Sequence, residues 1–411
     1  MNSVTIVGGG IAGCEAALQL SSHGFNVKVF DAKPETLLPI YKMPTYGELI
    51  CNNSIGNLNR RSSQALLIHE LKSVGSKMIA IAEECRVEDN QHLAVDKKAF
   101  SKAITDSLIA NGVKFCNEFV TEVPEDDYVI LATGALTSAA LLEDMSKRFG
   151  IREYHFSDAS CPIINITSVD NTDEHIRKVS DDLYVISIPN SIFDQFCDVL
   201  AADYVDRMKT TTDFDSKYNA LETIESLAFK GRNVLKAEKF SYNFSDLPCM
   251  LLRRESALEN GFIIVRCTTT MRRPMQASAF SMLPGLHNSR FIKYGRMHPN
   301  TFINSPDILD EFFRIKDTNV FVIGQLSGVD DYGPAIASGW ISSAKIVYGD
   351  KIVSLPKNTL IGGFGKYISN TSVTDFQPLC TSFAVMECKS GDYYAESRSG
   401  IEKIINSLNN Y

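Results

Sequence analysis

Val4-Thr5-Ile6-Val7-Gly8-Gly9-Gly10-Ile11-Ala12-Gly13 is the stretch on which the fold turns. Four apolar or β-branched residues make a short buried strand, and it runs straight into glycines. A helix is predicted from about Ile11 to Ser22, closed by His23-Gly24, and Val27 to Phe30 reads as a second strand ending on Asp31. This is a βαβ unit with Gly8-x-Gly10-x-x-Gly13 at its first turn. Gly8 permits the tight turn, Gly10 lets the backbone approach a pyrophosphate, and Gly13 lets helix and strand pack closely. The phosphates would meet the free N–H groups of the helix start. Asp31 sits near the ~20-residue spacing at which a carboxylate accepts a ribose hydroxyl. Strand, turn, helix and acid together make a dinucleotide site the preferred reading over a chance glycine turn.

Working outward, residues 62–85 hold a helical pattern, His92 to Asp96 a hairpin-like segment, and Ala99 to Asn111 another helix. Tyr128 to Ala132 is a buried strand ending in Thr133-Gly134. From about 151 the texture changes to short strands, Asp/Asn/Ser-rich turns and one helix near 191–207. Val320 to Gly324 is again a buried strand, followed by a helix from Ala335 to Val347. The fold class is therefore α/β: a Rossmann-type domain in two parts, 1–150 and 291–411 (the latter with the C-terminal segment), around an inserted α+β domain, 151–290. The two late glycine points, Thr133-Gly134 and Gly324-Gln325, favour the longer FAD over NAD, without deciding between them.

The 411 residues exceed the ~250–300 at which single cores stop growing, in agreement with two lobes. The opening MNSVTIVGGG lacks a basic and a long apolar region, so neither a signal peptide nor a membrane role is expected, and a cytoplasmic location is. Ten cysteines form no CxxC pair, which argues against disulfides and against a metal site. The net charge, 41 − 49 = −8, supplies no general attraction for nucleic acid.

At Gly47-Glu48-Leu49-Ile50-Cys51-Asn52-Asn53-Ser54 the chain resembles the folate/FAD-dependent RNA uracil-5 methyltransferases (TrmFO) and, more distantly, the tRNA-modifying flavoprotein GidA. The resemblance runs through Leu93 to Asp96, Ala132 to Ser138, Tyr294 to Pro306, Gly324 to Val329 and Phe376 to Pro378, in order along nearly the whole chain. It implies a GR2-like flavoprotein that holds FAD, reduces it with NADH or NADPH, and takes a one-carbon unit from 5,10-methylenetetrahydrofolate. The carbon goes to C5 of a uridine in RNA. It also implies that Gly8, Gly10, Ile11, Ala12, Gly13, Asp31, Lys33, Thr133, Gly134, Asn300, Gly324, Gln325, Gly328 and Val329 bind cofactor. His298 is a catalytic candidate facing the flavin, or else a structural histidine. Cys51 by residue type alone is a small buried hydrophobe, but by family position it is one of two cysteines that act on uridine, by addition at C6 or removal of the C5 proton.

Departures from the family pattern are as specific. The segment like GCMPIExMAxRG becomes Ala220 to Gly231, and the register set by Ile224, Glu225, Ala228 and Gly231 puts Leu221 where the second cysteine belongs. A leucine neither adds to C6 nor takes a proton. FQTxLKWG becomes Cys267 to Pro274, and GYxESAxSG becomes Asp331 to Gly339, losing a carboxylate at Pro334. A lysine expected in the helix after Cys51 appears as Ile68, and a basic residue after that cysteine is absent from Ser54-Ile55-Gly56. Arg253-Arg254 and Arg272-Arg273 grip a folate tail or RNA phosphates, or are solvated faces. Asp96 before Lys97-Lys98 reads as turn chemistry. The expected function is an FAD-dependent oxidoreductase of this type that uses methylenetetrahydrofolate and NAD(P)H without methylating RNA, with oxygen as acceptor. The alternatives are a working RNA methyltransferase, or a non-catalytic folate- or RNA-binding module. Folate and nicotinamide are the implied small-molecule partners.

Overall fold

The computed structural model describes the chain except residues 1, 37–42, 51, 88–91, 211–222, 243–244, 255–257, 259, 374–375 and 410–411. At 155–159, 205–210, 297–299 and 409 only the backbone is described. Cys51 and Leu221 therefore lie outside the described residues, as does the side chain of His298.

Contacts divide the chain into Met1–Tyr154 with Thr301–Tyr411, and His155–Asn300. The sequence reading places an inserted domain at 151–290; the second compact unit runs His155–Asn300. The reason for the later end is local: Phe291–Lys293 hydrogen-bonds Ile163–Asn165 as an edge strand of the second unit's sheet.

In the first unit, five strands lie parallel in the order Val320–Val322, Tyr128–Leu131, Ser3–Val7, Asn26–Phe30, Lys114–Cys116. The first strand is central because Val4 and Ile6 are fully buried β-branched residues, which suit a sheet covered by helices. The helices Ile11–Ser22 and Tyr332–Tyr348 pack together, and their contact is close because Gly339 presents no Cβ: one would sit 2.5 Å from the carbonyl oxygen of Ala12. The predicted helical pattern over 62–85 is two helices, Ser63–Ser73 and Lys77–Glu84, each opened by a serine cap. Asp96 is the cap of the Lys97–Ala110 helix, accepting from the Ala99 N–H at 2.8 Å.

The second unit is a six-stranded antiparallel sheet in the order Phe291–Lys293, Ile163–Asn165, Gly261–Ile264, Cys249–Arg254, Leu183–Ser187, Ile176–Ser180. Its core gathers Ile164, Ile186 and Leu252 from strands with Phe196, Leu227 and Phe280 from helices. No helix among the described residues is long and apolar enough to cross a membrane.

Two buried carboxylates hold the first unit's helices. Glu15, on the Ile11–Ser22 helix, accepts from Ser76 Oγ at 2.9 Å and the Met78 N–H at 2.8 Å, so it caps the Lys77–Glu84 helix from outside. Glu70 does the same for the Leu360–Ile368 helix. It accepts the Leu360 and Ile361 N–H groups, both at 2.9 Å, and Ser397 Oγ at 2.6 Å. Burial pushes Glu70 up from 4.5 to about 7, against the pull of these three donors. A carboxyl raised on folding stabilises fully below its unfolded value and loses that contribution as pH rises through its folded one. Stability relative to Glu70→Gln is therefore expected to fall by roughly 3 kcal/mol between pH 4 and pH 8. Urea unfolding of both proteins across that range measures it; parallel profiles would refute the assignment.

Candidate functional site

Sheet order brings the ends of three neighbouring strands side by side, with the Ala132 N–H on the Val7 carbonyl at 2.8 Å and the Ile323 N–H on the Leu131 carbonyl at 3.0 Å. Ligands of open parallel sheets bind beyond such carboxyl ends. Gly8, Thr133 and Gly324 all sit there.

The glycine loop is built by exclusion. Gly8 has φ +109°, and a Cβ on it would lie 2.4 Å from the Ala132 oxygen. On Gly13 a Cβ would lie 2.0 Å from the Gly8 oxygen, so the helix start touches the turn backbone to backbone. Gly10 differs: a Cβ there meets nothing within 4 Å. Tightness on one side and open space on the other is what a pyrophosphate cradle requires. Gly10 is the helix cap and supplies no side-chain acceptor, which leaves the first-turn amides at Ile11, Ala12 and Gly13 without a side-chain cap.

Asp31 closes the second strand. Its Oδ2 accepts the Gly9 N–H at 2.8 Å and its Oδ1 the Lys33 N–H at 2.9 Å, so the carboxylate fixes the glycine loop from below. A carboxylate offers about four acceptor positions, which leaves room for a ribose hydroxyl. Lys33 is almost fully buried, donating from Nζ to the Thr45 carbonyl at 2.9 Å with Glu48 3.8 Å away. Burial pulls its ammonium below the ordinary lysine range, opposed by Asp31 and Glu48. Lys33 thus anchors the segment leading to Cys51. Tyr46 belongs to the same device: it stacks on Phe115 at 4.4 Å, and its ring occupies the space beside Gly9.

On the late strand end, Gly324 (φ +66°) gives its N–H to Ser338 Oγ at 2.9 Å. Gly328 (φ +86°) leaves space filled by the Phe376 ring, and Val329 bridges Leu379. Gln325 donates to Asp330 Oδ1 at 3.1 Å. Thr133 Oγ1 is 2.6 Å from Thr137 Oγ1, and Gly134 (φ +66°) faces open space. Asn300 is buried and falls in the second unit.

Ile68 is buried, with its Cδ1 3.2 Å from where a Gly56 Cβ would stand, so this position is core. Arg254 pairs with Asp182 at 3.4 Å, and Arg273 lies over the Tyr294 ring, 5.9 Å from its centroid. Burial pushes Cys14 and Cys197 up to about 12 and Cys161 to about 11, and Cys267 well above its usual range. None of these four thiols is poised to ionise near neutral pH. The sequence reading assigned no role to Tyr46, Glu48, Gln64 or Asp331; of these Glu48 lies in the segment that carries the resemblance, and Asp331 is an acid where the family motif has glycine.

Strand ends, glycine loop and the acid that closes the second strand define a Rossmann-type dinucleotide-binding fold. The chain belongs to the family described as glucose inhibited division protein A, whose model matches residues 3–349, and it is a TrmFO-like member. It is 31% identical over 403 residues to the methylenetetrahydrofolate–tRNA-(uracil-5-)-methyltransferase TrmFO of Acetivibrio thermocellus, covering 93% of this chain and 92% of the relative. It is 32% identical over 402 residues to the protein of that name from Caldicellulosiruptor bescii, covering 93% and 91%. Among solved structures, GidA of Aquifex aeolicus superposes with a TM-score of 0.70 at 14% identity, covering 98% of this chain and 75% of that one. That likeness shows the fold.

Two glycine variants separate packing from ligand contact. Gly13→Ala is expected to lower both thermal stability and FAD retention, because its Cβ has nowhere to go. Gly10→Ala is expected to leave the apo protein's Tm unchanged while weakening FAD at least about tenfold, or ~1.4 kcal/mol. A Gly10→Ala protein that binds FAD like the wild type would place the cofactor elsewhere.

Proposed function

We propose that this chain is an FAD-dependent oxidoreductase of the cytoplasm that uses 5,10-methylenetetrahydrofolate and NADH or NADPH and does not methylate RNA. The observation that carries this reading is Leu221 in the register set by Ile224, Glu225, Ala228 and Gly231. Around it the local structure supports that register. Thr223 caps the Ile224–Lys230 helix, Ile224, Glu225 and Ala228 are buried, and Gly231 ends it at φ +138°, a conformation that favours glycine.

The cradle fits FAD. The open side of Gly10 and the amides of Ile11, Ala12 and Gly13 would hold the pyrophosphate, and Asp31 would accept a hydrogen bond from an adenosine ribose hydroxyl. The Gly324–Val329 turn and Thr133-Gly134, at neighbouring strand ends, would flank the distal half. FAD supplies two-electron transfer there. With no uridine as acceptor the one-carbon unit stays on the folate, which would be bound without being consumed, and the balanced reaction is NAD(P)H + H⁺ + O₂ → NAD(P)⁺ + H₂O₂. The chain's own contribution is to bind, orient and shield: buried Lys33, Glu48 and Tyr46 keep the segment before Cys51 against the glycine loop.

A second reading, folate-dependent methylation of tRNA or rRNA, is favoured by the names of the relatives and by the retained Cys51. Purified protein incubated with methylenetetrahydrofolate, NAD(P)H and unmodified tRNA and rRNA distinguishes the two. Oxygen uptake with stoichiometric peroxide and no 5-methyluridine is expected. Appearance of 5-methyluridine would overturn the proposal.

A further inference from the structure

The Tyr332–Tyr348 helix opens on Asp331, whose backbone sits at φ 80°, ψ 162°. That corner of backbone space is essentially reserved for glycine, and a side chain there is held under strain. Helix caps ordinarily take extended backbone, so capping alone does not call for this conformation. The family motif GYxESAxSG has glycine at this position and its carboxylate where this chain has Pro334. Here the acid stands at the glycine position.

The Asp331 carboxylate is spent on two elements. Its Oδ1 accepts the Tyr332 N–H at 2.9 Å, and its Oδ2 accepts from Gln64 Nε2 at 3.0 Å. Gln64 turns its own amide oxygen to the Asn57 N–H at 2.9 Å. On the other side, Asp330 Oδ1 accepts both the Asp331 N–H at 3.0 Å and Gln325 Nε2 at 3.1 Å. One hydrogen-bonded run therefore joins the Gly324–Ser327 turn, the start of the Tyr332–Tyr348 helix, and the Ser54–Asn57 strand that follows Cys51 in sequence. Burial and the neighbouring charge of Asp330 both oppose ionisation of Asp331. Strain and burial each work against stability and oppose what the cap on Tyr332 and the hydrogen bond from Gln64 contribute.

We propose that Asp331 is a positioning residue of the flavin site: through Gln64 it locks the Ser54–Asn57 strand to the Gly324–Ser327 turn. Its consequence for catalysis rests on the flavin reaction proposed above; the locking itself does not.

The test uses the full chain loaded with FAD. In Asp331→Gly the Tm is expected at or above wild type, because strain is relieved. Amide exchange of residues 54–57 is expected to quicken by about tenfold, or ~1.4 kcal/mol of local opening. Flavin reduction at saturating NAD(P)H is expected to slow by a similar factor, with Asp331→Asn, which keeps one acceptor oxygen, falling between. Gln64→Ala is expected to reproduce the exchange change, and the double variant to exchange no faster than either single one. A Tm loss in Asp331→Gly, unchanged exchange, or additive effects would overturn the proposal. Should the wild-type holoprotein show no flavin reduction by NAD(P)H, the functional reading falls, and the Tm, exchange and double-variant results still decide the locking.

Discussion

Backbone lying directly on backbone at the end of the first strand is the constraint on which the rest depends. Gly13 rests on the Gly8 carbonyl, Gly8 on that of Ala132, and Gly339 on that of Ala12. Each contact excludes a Cβ, so strand, helix and neighbouring strand end approach more closely than side chains allow. The space saved at Gly8 and Gly13 reappears as open space at Gly10. That asymmetry is what the proposed dinucleotide site rests on: first-turn donors without a side-chain cap, open space at Gly10, and an acid on the Gly9 amide.

Much of this was legible in the sequence because it is local. The strand, the Gly8-Gly10-Gly13 spacing, the Ile11–Ser22 helix and Asp31 lie within one short segment, and their periodicities carry the fold directly. The return at Val320 was also legible, since a short β-branched run before glycine recurs there. The end of the insertion was not. Phe291–Lys293 carries no signal that it belongs to the preceding sheet, and only its pairing with Ile163–Asn165 assigns it.

The buried acids were illegible for a different reason. Gln64 and Asp331 are 267 residues apart, and Glu70 reaches the amide of Leu360 across 290. No pattern of spacing specifies such partners. Glu70 sits on a helix whose other buried residues are mostly aliphatic, where an acid reads as surface; the unpaired amides of a distant helix start bring it inside. Lys33 likewise reads as a ligand-facing cation, whereas the structure buries its ammonium against Thr45 and Glu48, where it holds the chain that leads to Cys51. Ile68 illustrates the opposite case, a family cation replaced by a residue that the core accepts.

Hydrogen exchange of the apo protein during titration with FAD decides whether the glycine loop is an FAD cradle. The amides of residues 9–13 are predicted to become protected by about tenfold or more, saturating at one FAD per chain, while the second unit's sheet is unaffected. FAD uptake with no change at those amides, or no uptake at all, would mean that the glycine loop does not hold the cofactor.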